Sequence, residues 1–187
     1  MDTKSSLAGN FLVAMPTLED RNFERTVLFI CSHDSEGALG LVINQPHPAP
    51  MDEVIAQLNL KWKRLDAPRF VYQGGPVSLE RGFILFEQGD DENHLQVADN
   101  LFLGTDPEIL RSLVEFQTKR SFFFALGYSG WAQGQLEREI RENSWLISNF
   151  DRKVLFDIPA EKRWTATIEA MGIDPAQLVD SGSHLSN

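Results

Sequence analysis

The run Ser121–Ser129, SFFFALGYS, constrains the fold of this chain more than any other stretch. It is too short to cross a bilayer, which takes about 20 apolar residues. It is also too apolar for a strand with one wet face, where polar residues would fill alternate positions. It therefore predicts a central strand covered on both sides, and the rest of the chain must supply a layer for each face. The segments available are short apolar runs bounded by turn residues. Strands are expected at 11–16 (FLVAMP, stopped by Pro16), 26–33 (TVLFICSH), 37–44 (GALGLVIN), 69–76 (RFVYQGGP), 81–87 (RGFILFE) and 94–104, the last with a break at Asp99-Asn100. The second and third are joined by DSEG and predict a hairpin. A further strand is expected at 153–158, KVLFDI.

Helices are expected where the period changes. MDEVIAQLNL places Val54, Ile55 and Leu58 on one face with Asp52 as a cap. TDPEILRSLVEF offers Thr105 and Glu108 as a capping box, Pro107 in the first turn, and a stripe of Leu110, Leu113 and Val114. After Gly134, the pairs Glu137/Arg141 and Arg138/Glu142 fall at i,i+4, with Leu136, Ile140 and Ile147 facing inward. A helix from Ala160 carries Trp164, Ile168 and Met171 on one face and ends at Gly172, followed by a short turn of helix in DPAQLV. Strands early and mixed elements later favour α+β with a mixed sheet. The 187 residues suit one domain over 1–187, with a short loose N-terminus over 1–8 and a polar tail over 180–187.

The charge balance excludes more than it suggests. Net charge is −10, against the basic face that phosphate binding requires. Lys61–Arg64 (KWKR) and Arg152-Lys153 are the basic clusters, and both read as solvated turns. The single cysteine, Cys31, cannot form an internal disulfide, and no signal peptide or spanning helix is legible. A cytoplasmic, membrane-free protein is expected.

Chemistry is sparse. Cys31 and His33 would share one strand face with Ser32 opposite, the arrangement of a nucleophile and its base, or of two ligands if Asp34 or His47 joined them. Metal sites need three or four ligands, so a core cysteine and a strand-end histidine is the favoured reading. His94 and His184 lie in loops. Gly74 and Gly75 permit a pocket wall with Gln73 or a tight turn between strands, the latter favoured. Asn44-Gln45-Pro46 reads as a turn first and a polar site second. The stretch 127–146, GYSGWAQGQLEREIRENSWL, reads as a glycine-punctuated loop before a helix. Its spacing fits neither a dinucleotide fingerprint nor a P-loop, and Glu137 and Glu139 in the first turn oppose an anion. The loop is expected to turn a corner.

Three long segments, 11–46, 74–86 and 126–146, together with Arg163-Trp164 and MGID at 171–174, resemble the YqgE/AlgH family, also called UPF0301 or DUF179, over nearly the whole chain. The resemblance implies a single compact α+β domain, its branched mixed sheet partly curled toward a barrel and surrounded by helices. It implies a bacterial cytosolic protein of a family with no established enzymatic activity or cofactor; no metal and no catalytic residues are expected from the residues. The transcriptional-regulator role attached to AlgH-type members points to a non-catalytic regulatory or interaction protein with protein partners. The alternative is a small-ligand binder or enzyme whose site gathers His33, Asn44, Gln73, Gly74, Gly75, Tyr128, Ser129, Trp131 and Gln135. Direct DNA binding is disfavoured by the charge. The family pattern often ends near Gly-His-Ala, and the terminal GSHLSN departs from it.

Overall fold

The computed structural model describes residues 6–16, 23, 25–63, 68–87, 94–116 and 120–178. Arg64, His184 and the tail over 180–187 lie outside the described residues. In chain order the elements are β1 (Asn10–Ala14), β2 (Val27–Asp34), β3 (Gly37–Val42), α1 (Met51–Gln57), β4 (Val71–Gln73), β5 (Val77–Glu87), β6 (Leu95–Ala98), β7 (Leu101–Gly104), α2 (Pro107–Glu115), β8 (Phe122–Ala132), α3 (Gln135–Arg141), β9 (Trp145–Asn149), α4 (Arg152–Phe156) and α5 (Ala160–Ala170). The strands run in the order β6-β7-β5-β8-β3-β2-β1-β9, with β4 branching off β8. All pairs are antiparallel except β4 with β8. The fold is therefore α+β on a mixed, branched sheet that curls into a half-barrel.

The strand expected at SFFFALGYS is central, and it is longer than expected. Residues 122–126 pair with β5 on one edge and residues 124–126 with β4 on the other, whereas residues 129–132 pair with β3. The expected loop GYSGW is thus part of β8. Gly127 bends the strand, with φ at +72°, where it passes from one half of the sheet to the other. Here the loop following β4 presses against it. A Cβ on Gly74 would lie 2.3 Å from the Gly127 carbonyl oxygen, and one on Gly75 would lie 2.3 Å from the Tyr128 carbonyl carbon. Two stretches of backbone touch directly, and no side chain fits between them.

Strand periodicity sorts the core into three compartments. Phe11, Val13, Val27, Phe29, Phe83, Leu85, Phe123 and Ala125 face one continuous inner core, closed by Val154, Leu155, Trp164 and Ile168 of α4 and α5. Their alternates face outward and divide. Ile84, Phe86, Phe122 and Phe124 pack against α1 and α2. Leu12, Ala14, Leu28, Ile30 and Trp131 pack against Leu136 of α3. Both faces of β8 are covered, as its composition requires.

Four local expectations are corrected. KVLFDI is not a strand: residues 152–156 form α4, capped by Asp151, whose carboxylate accepts from the Lys153 N–H at 2.8 Å. The buried pair is Val154 and Leu155, adjacent residues that a strand would send to opposite faces. α2 is capped by Asp106 and not by Thr105, since the Asp106 carboxylate accepts from the Glu108 N–H. Pro50 stands at the α1 cap, leaving Asp52 to accept from the Trp62 indole at 2.6 Å and from Arg69 at 3.2 Å. Ile147 lies on edge strand β9, 41% exposed, and not on α3. Of the loose N-terminus expected over 1–8, residues 1–5 lie outside the described set. Ser6 and Leu7 are held: the Ser6 hydroxyl donates to the His33 carbonyl, and the Leu7 N–H to His33 Nδ1.

Arg152 fastens α4 to the sheet by donating to Glu87 and to the Ser121 hydroxyl, and it also pairs with Asp157. Arg152, one half of the basic pair 152–153, is thereby explained without a phosphate. Arg152 holds the Glu87 carboxyl below the usual carboxylate range. A depressed carboxylate contributes stability above its unfolded value, about 4.3, and loses it as pH falls through the folded value. Denaturant unfolding of the parent and of Glu87→Gln will therefore differ at neutral pH, and the difference will shrink as pH falls below about 4.3 and vanish below the folded value. Gly75→Ala, forced against backbone at a φ of +154°, will cost about 2–4 kcal/mol by the same measurement. Gly134→Ala has a positive φ but open space, and will cost only about 1–2 kcal/mol.

Candidate functional site

The expected site residues do not meet in one cavity. His33 lines a hollow of about 550 Å³ with Ser6, Asp34 and Glu137. Ser129, Trp131 and Gln135 line a separate one of about 230 Å³ with Phe23, Glu139 and Trp145. Asn44 is consumed in the backbone: its side-chain oxygen accepts from the Val27 N–H at 2.8 Å and its amide donates to the Arg25 carbonyl at 2.9 Å. Gln73 is exposed at the end of β4. Gly74 and Gly75 form the backbone crossing, where the buried Ser129 hydroxyl donates to the Gly74 carbonyl. The Tyr128 ring packs on Phe83 with centroids 5.5 Å apart.

Cys31 and His33 are parted by a bulge. The ladder between β2 and β3 shifts between Ile30 and Ser32, leaving Cys31 as the extra residue. Cys31 stays in the inner core, but His33 pairs with Ala38, which packs on the opposite face. Strict alternation had put both on one face. Burial raises the Cys31 thiol far above its ordinary value, so the thiolate needed for nucleophilic attack is not formed. His33 Nδ1 accepts from Leu7, which places the ring proton of the neutral form on Nε2. Nε2 points toward Glu137 Oε1 at 3.6 Å and has no lone pair for a metal. Among the described residues no three His, Cys, Asp or Glu side chains are grouped to hold one.

The charged helix after Gly134 contributes a group that helical pairing rules missed. Glu139 accepts from the Trp131 indole at 2.9 Å, the Trp145 indole at 2.8 Å and the Gln135 amide at 2.9 Å. One carboxylate thus ties β8, α3 and β9 together. The spacing Trp131, Gln135, Glu139 at four-residue steps was the available signal, but Trp131 belongs to a strand.

The cleft best suited to a ligand lies elsewhere, where β4, the end of β8 and the α4–α5 connection meet. Its volume is about 790 Å³, within the roughly 300–1,000 Å³ of small-molecule sites. Pro46, Phe70, Phe156 and Pro159 supply apolar walls. Tyr72 stacks on Phe123 at 4.4 Å, which fixes its ring. Beside it lies Arg163, 4% exposed, with its guanidinium 4.9 Å from the Tyr72 ring centre. Arg163 donates to the Ile158 carbonyl at 2.9 Å, to the Ile43 carbonyl and to the Tyr72 hydroxyl at 3.2 Å. These acceptors are all neutral. Glu161 adds only a through-space attraction, and burial lowers the affinity of Arg163 for its proton. A second cleft of about 760 Å³ lies between β9 and the ends of α4 and α5, but its Arg152 is already paired with Glu87 and Asp157. Sequence reading met Arg163 only as half of the RW pair; a cation within an amphipathic helix gives no sign that it points inward.

Removing Glu139 tests the indole tie. Glu139→Ala leaves two indole donors unpaired and will cost about 2–4 kcal/mol in denaturant unfolding, with a shift in tryptophan emission. Glu139→Gln keeps an acceptor oxygen and will cost less.

A family model described as AlgH-like matches residues 11–176. A UPF0301 protein of Magnetococcus marinus is 50% identical over 184 residues, covering 98% of each chain. One of Pseudoalteromonas translucida is 40% identical over 96% of this chain and 98% of its own. The solution structure of the AlgH protein from Pseudomonas aeruginosa superposes with a TM-score of 0.76 at 34% identity, covering 96% of both chains. A crystal structure from Corynebacterium diphtheriae, at 24% identity and a TM-score of 0.70 over 91% of this chain and 90% of that one, shares the fold. With its model spanning most of the sequence and relatives matching end to end, the chain belongs to the AlgH-like UPF0301 family.

Proposed function

We propose that this protein is a non-catalytic regulatory protein of the cytoplasm that acts by binding, with the Arg163–Tyr72 cleft as its recognition site and a protein as its partner. The observation that carries this reading is the inward use of the signature side chains. Asn44, Ser129, Trp131, Gln135 and Glu139 spend their hydrogen bonds on one another or on backbone. What is open is a largely apolar cleft around one buried cation, lined also by Arg69, Asp157 and Glu161, which suits recognition and holds no Ser, Cys or His nucleophile. Phe70, 66% exposed at the rim, is the sort of aromatic anchor that interfaces favour. Any transcriptional effect would then run through the partner, because a chain of net charge −10 repels the DNA backbone.

The reading is tested in cells with a photo-reactive benzoyl-phenylalanine at Phe70 and, as a control, at Leu79, which is 56% exposed on β5. Discrete adducts from the Phe70 position alone are expected. No adduct, or the same adducts from both positions, would overturn it. A gel shift at low salt will show no sequence-selective DNA complex.

A further inference from the structure

We propose that the Arg163–Tyr72 cleft is a built site for a small organic carboxylate with an apolar body. The proposal rests on the reading above in taking this cleft as the recognition site: the acid would fill the floor at Arg163, and the exposed Phe70 at the rim is left to the protein. A guanidinium has five N–H donors, and three are accounted for, by Ile158, Ile43 and Tyr72. Two N–H directions remain on a group that is 4% exposed. A buried cation is ordinarily paired with a carboxylate. Here, among the described residues, no carboxylate is in ion-pair contact with Arg163. A ligand carboxylate would supply the missing charge and could take both remaining donors.

Tyr72 completes the arrangement. Its hydroxyl oxygen accepts from Arg163, so its own proton is free to point at an anion. Stacking on Phe123 holds it there. The lining also holds Arg69, paired with Asp52, and the carboxylates of Asp157 and Glu161, which repel a multiply charged inorganic anion, while Pro46, Phe156 and Pro159 offer an apolar body its contacts. Inorganic anions therefore fit poorly. An acidic protein segment is disfavoured too, since the Asp157 and Glu161 carboxylates line the cleft and would repel a run of negative charges at close range. A monocarboxylate the size of an aromatic or medium-chain acid satisfies all three conditions.

The test uses the full chain, ¹⁵N-labelled, titrated with benzoate, phenylacetate and hexanoate and, in parallel, with the matching neutral amides and with inorganic phosphate. Titration calorimetry gives affinities, and the arginine Nε–H signals report the site. The carboxylates are expected to saturate and to move the Arg163 signal, with the amides about ten-fold or more weaker and phosphate weaker still. Tyr72→Phe, which keeps the ring on Phe123, is expected to weaken carboxylates several-fold and amides little. It carries the test even if Arg163→Gln fails to fold. Amides binding as well as acids, acids leaving the Arg163 signal unmoved, phosphate competing equally, or no binding up to about 20 mM would each overturn the proposal. Absent carboxylate binding with intact crosslinking at Phe70 sinks this inference alone. Carboxylate binding without crosslinks sinks the protein-partner reading instead.

Discussion

Everything in this fold is arranged around one place where backbone lies on backbone. Gly74 and Gly75 cross β8 at Gly127–Ser129 so closely that a single added methyl group would overlap main-chain atoms. The contact is stitched by hydrogen bonds from the Gly74 N–H to Leu126, from the Val42 N–H to the Gly74 carbonyl and from the Ser129 hydroxyl to the same carbonyl. It joins β3, β4 and β8, and it is where the sheet branches. Because β8 continues through it, the inner faces of both halves form one core, and the outer faces must be covered by separate helices. The helices α4 and α5 close the inner core. Their connection, facing the end of β4, leaves the cleft that holds Arg163.

How much of this could be read in the sequence depends on whether the signal was local. The β2–β3 hairpin, the turn at Asp99-Asn100 and the helices at 107–115 and 160–170 follow from turn chemistry and period, and they stand where expected. SFFFALGYS announced a doubly covered strand because composition alone reports burial on both faces. The failures share a different cause. Glycines that mark a loop by propensity serve inside β8 because tertiary contact requires them there. The bulge at Cys31 reverses the facing of His33, and alternation cannot foresee an inserted residue. α4 was missed because five residues carry too little period to tell a helix from a strand.

The site was legible in the wrong way. The residues singled out by type were polar groups near glycines, and most of them are struts. Asn44 completes the end of the hairpin by mimicking a strand partner for Val27. Trp131 and Trp145, whose indoles meet at Glu139, bury large rings while satisfying their single donors. A motif can thus be long and specific because a crossing of elements demands it, with no chemistry performed there. The functional candidate was hidden because Arg163 sits in a helix whose hydrophobic face looks ordinary.

The electrostatics of that arginine follow from the scale of the opposing terms. Removing a guanidinium from water costs several kcal/mol even after relaxation. A neutral hydrogen bond to a carbonyl returns about 1 kcal/mol net, and one to a charged group about 1.5–3. Three such bonds and a ring face at 4.9 Å offset much of the cost, but leave the charge itself uncompensated at contact distance. An apolar side chain of similar volume would serve packing as well or better. The acidic surface is no substitute for a counterion, because solvent screens charges beyond about 8–10 Å. A cation at the floor of this largely apolar cleft, in a chain with ten excess negative charges, therefore keeps open the counterion position that the proposed carboxylate would take.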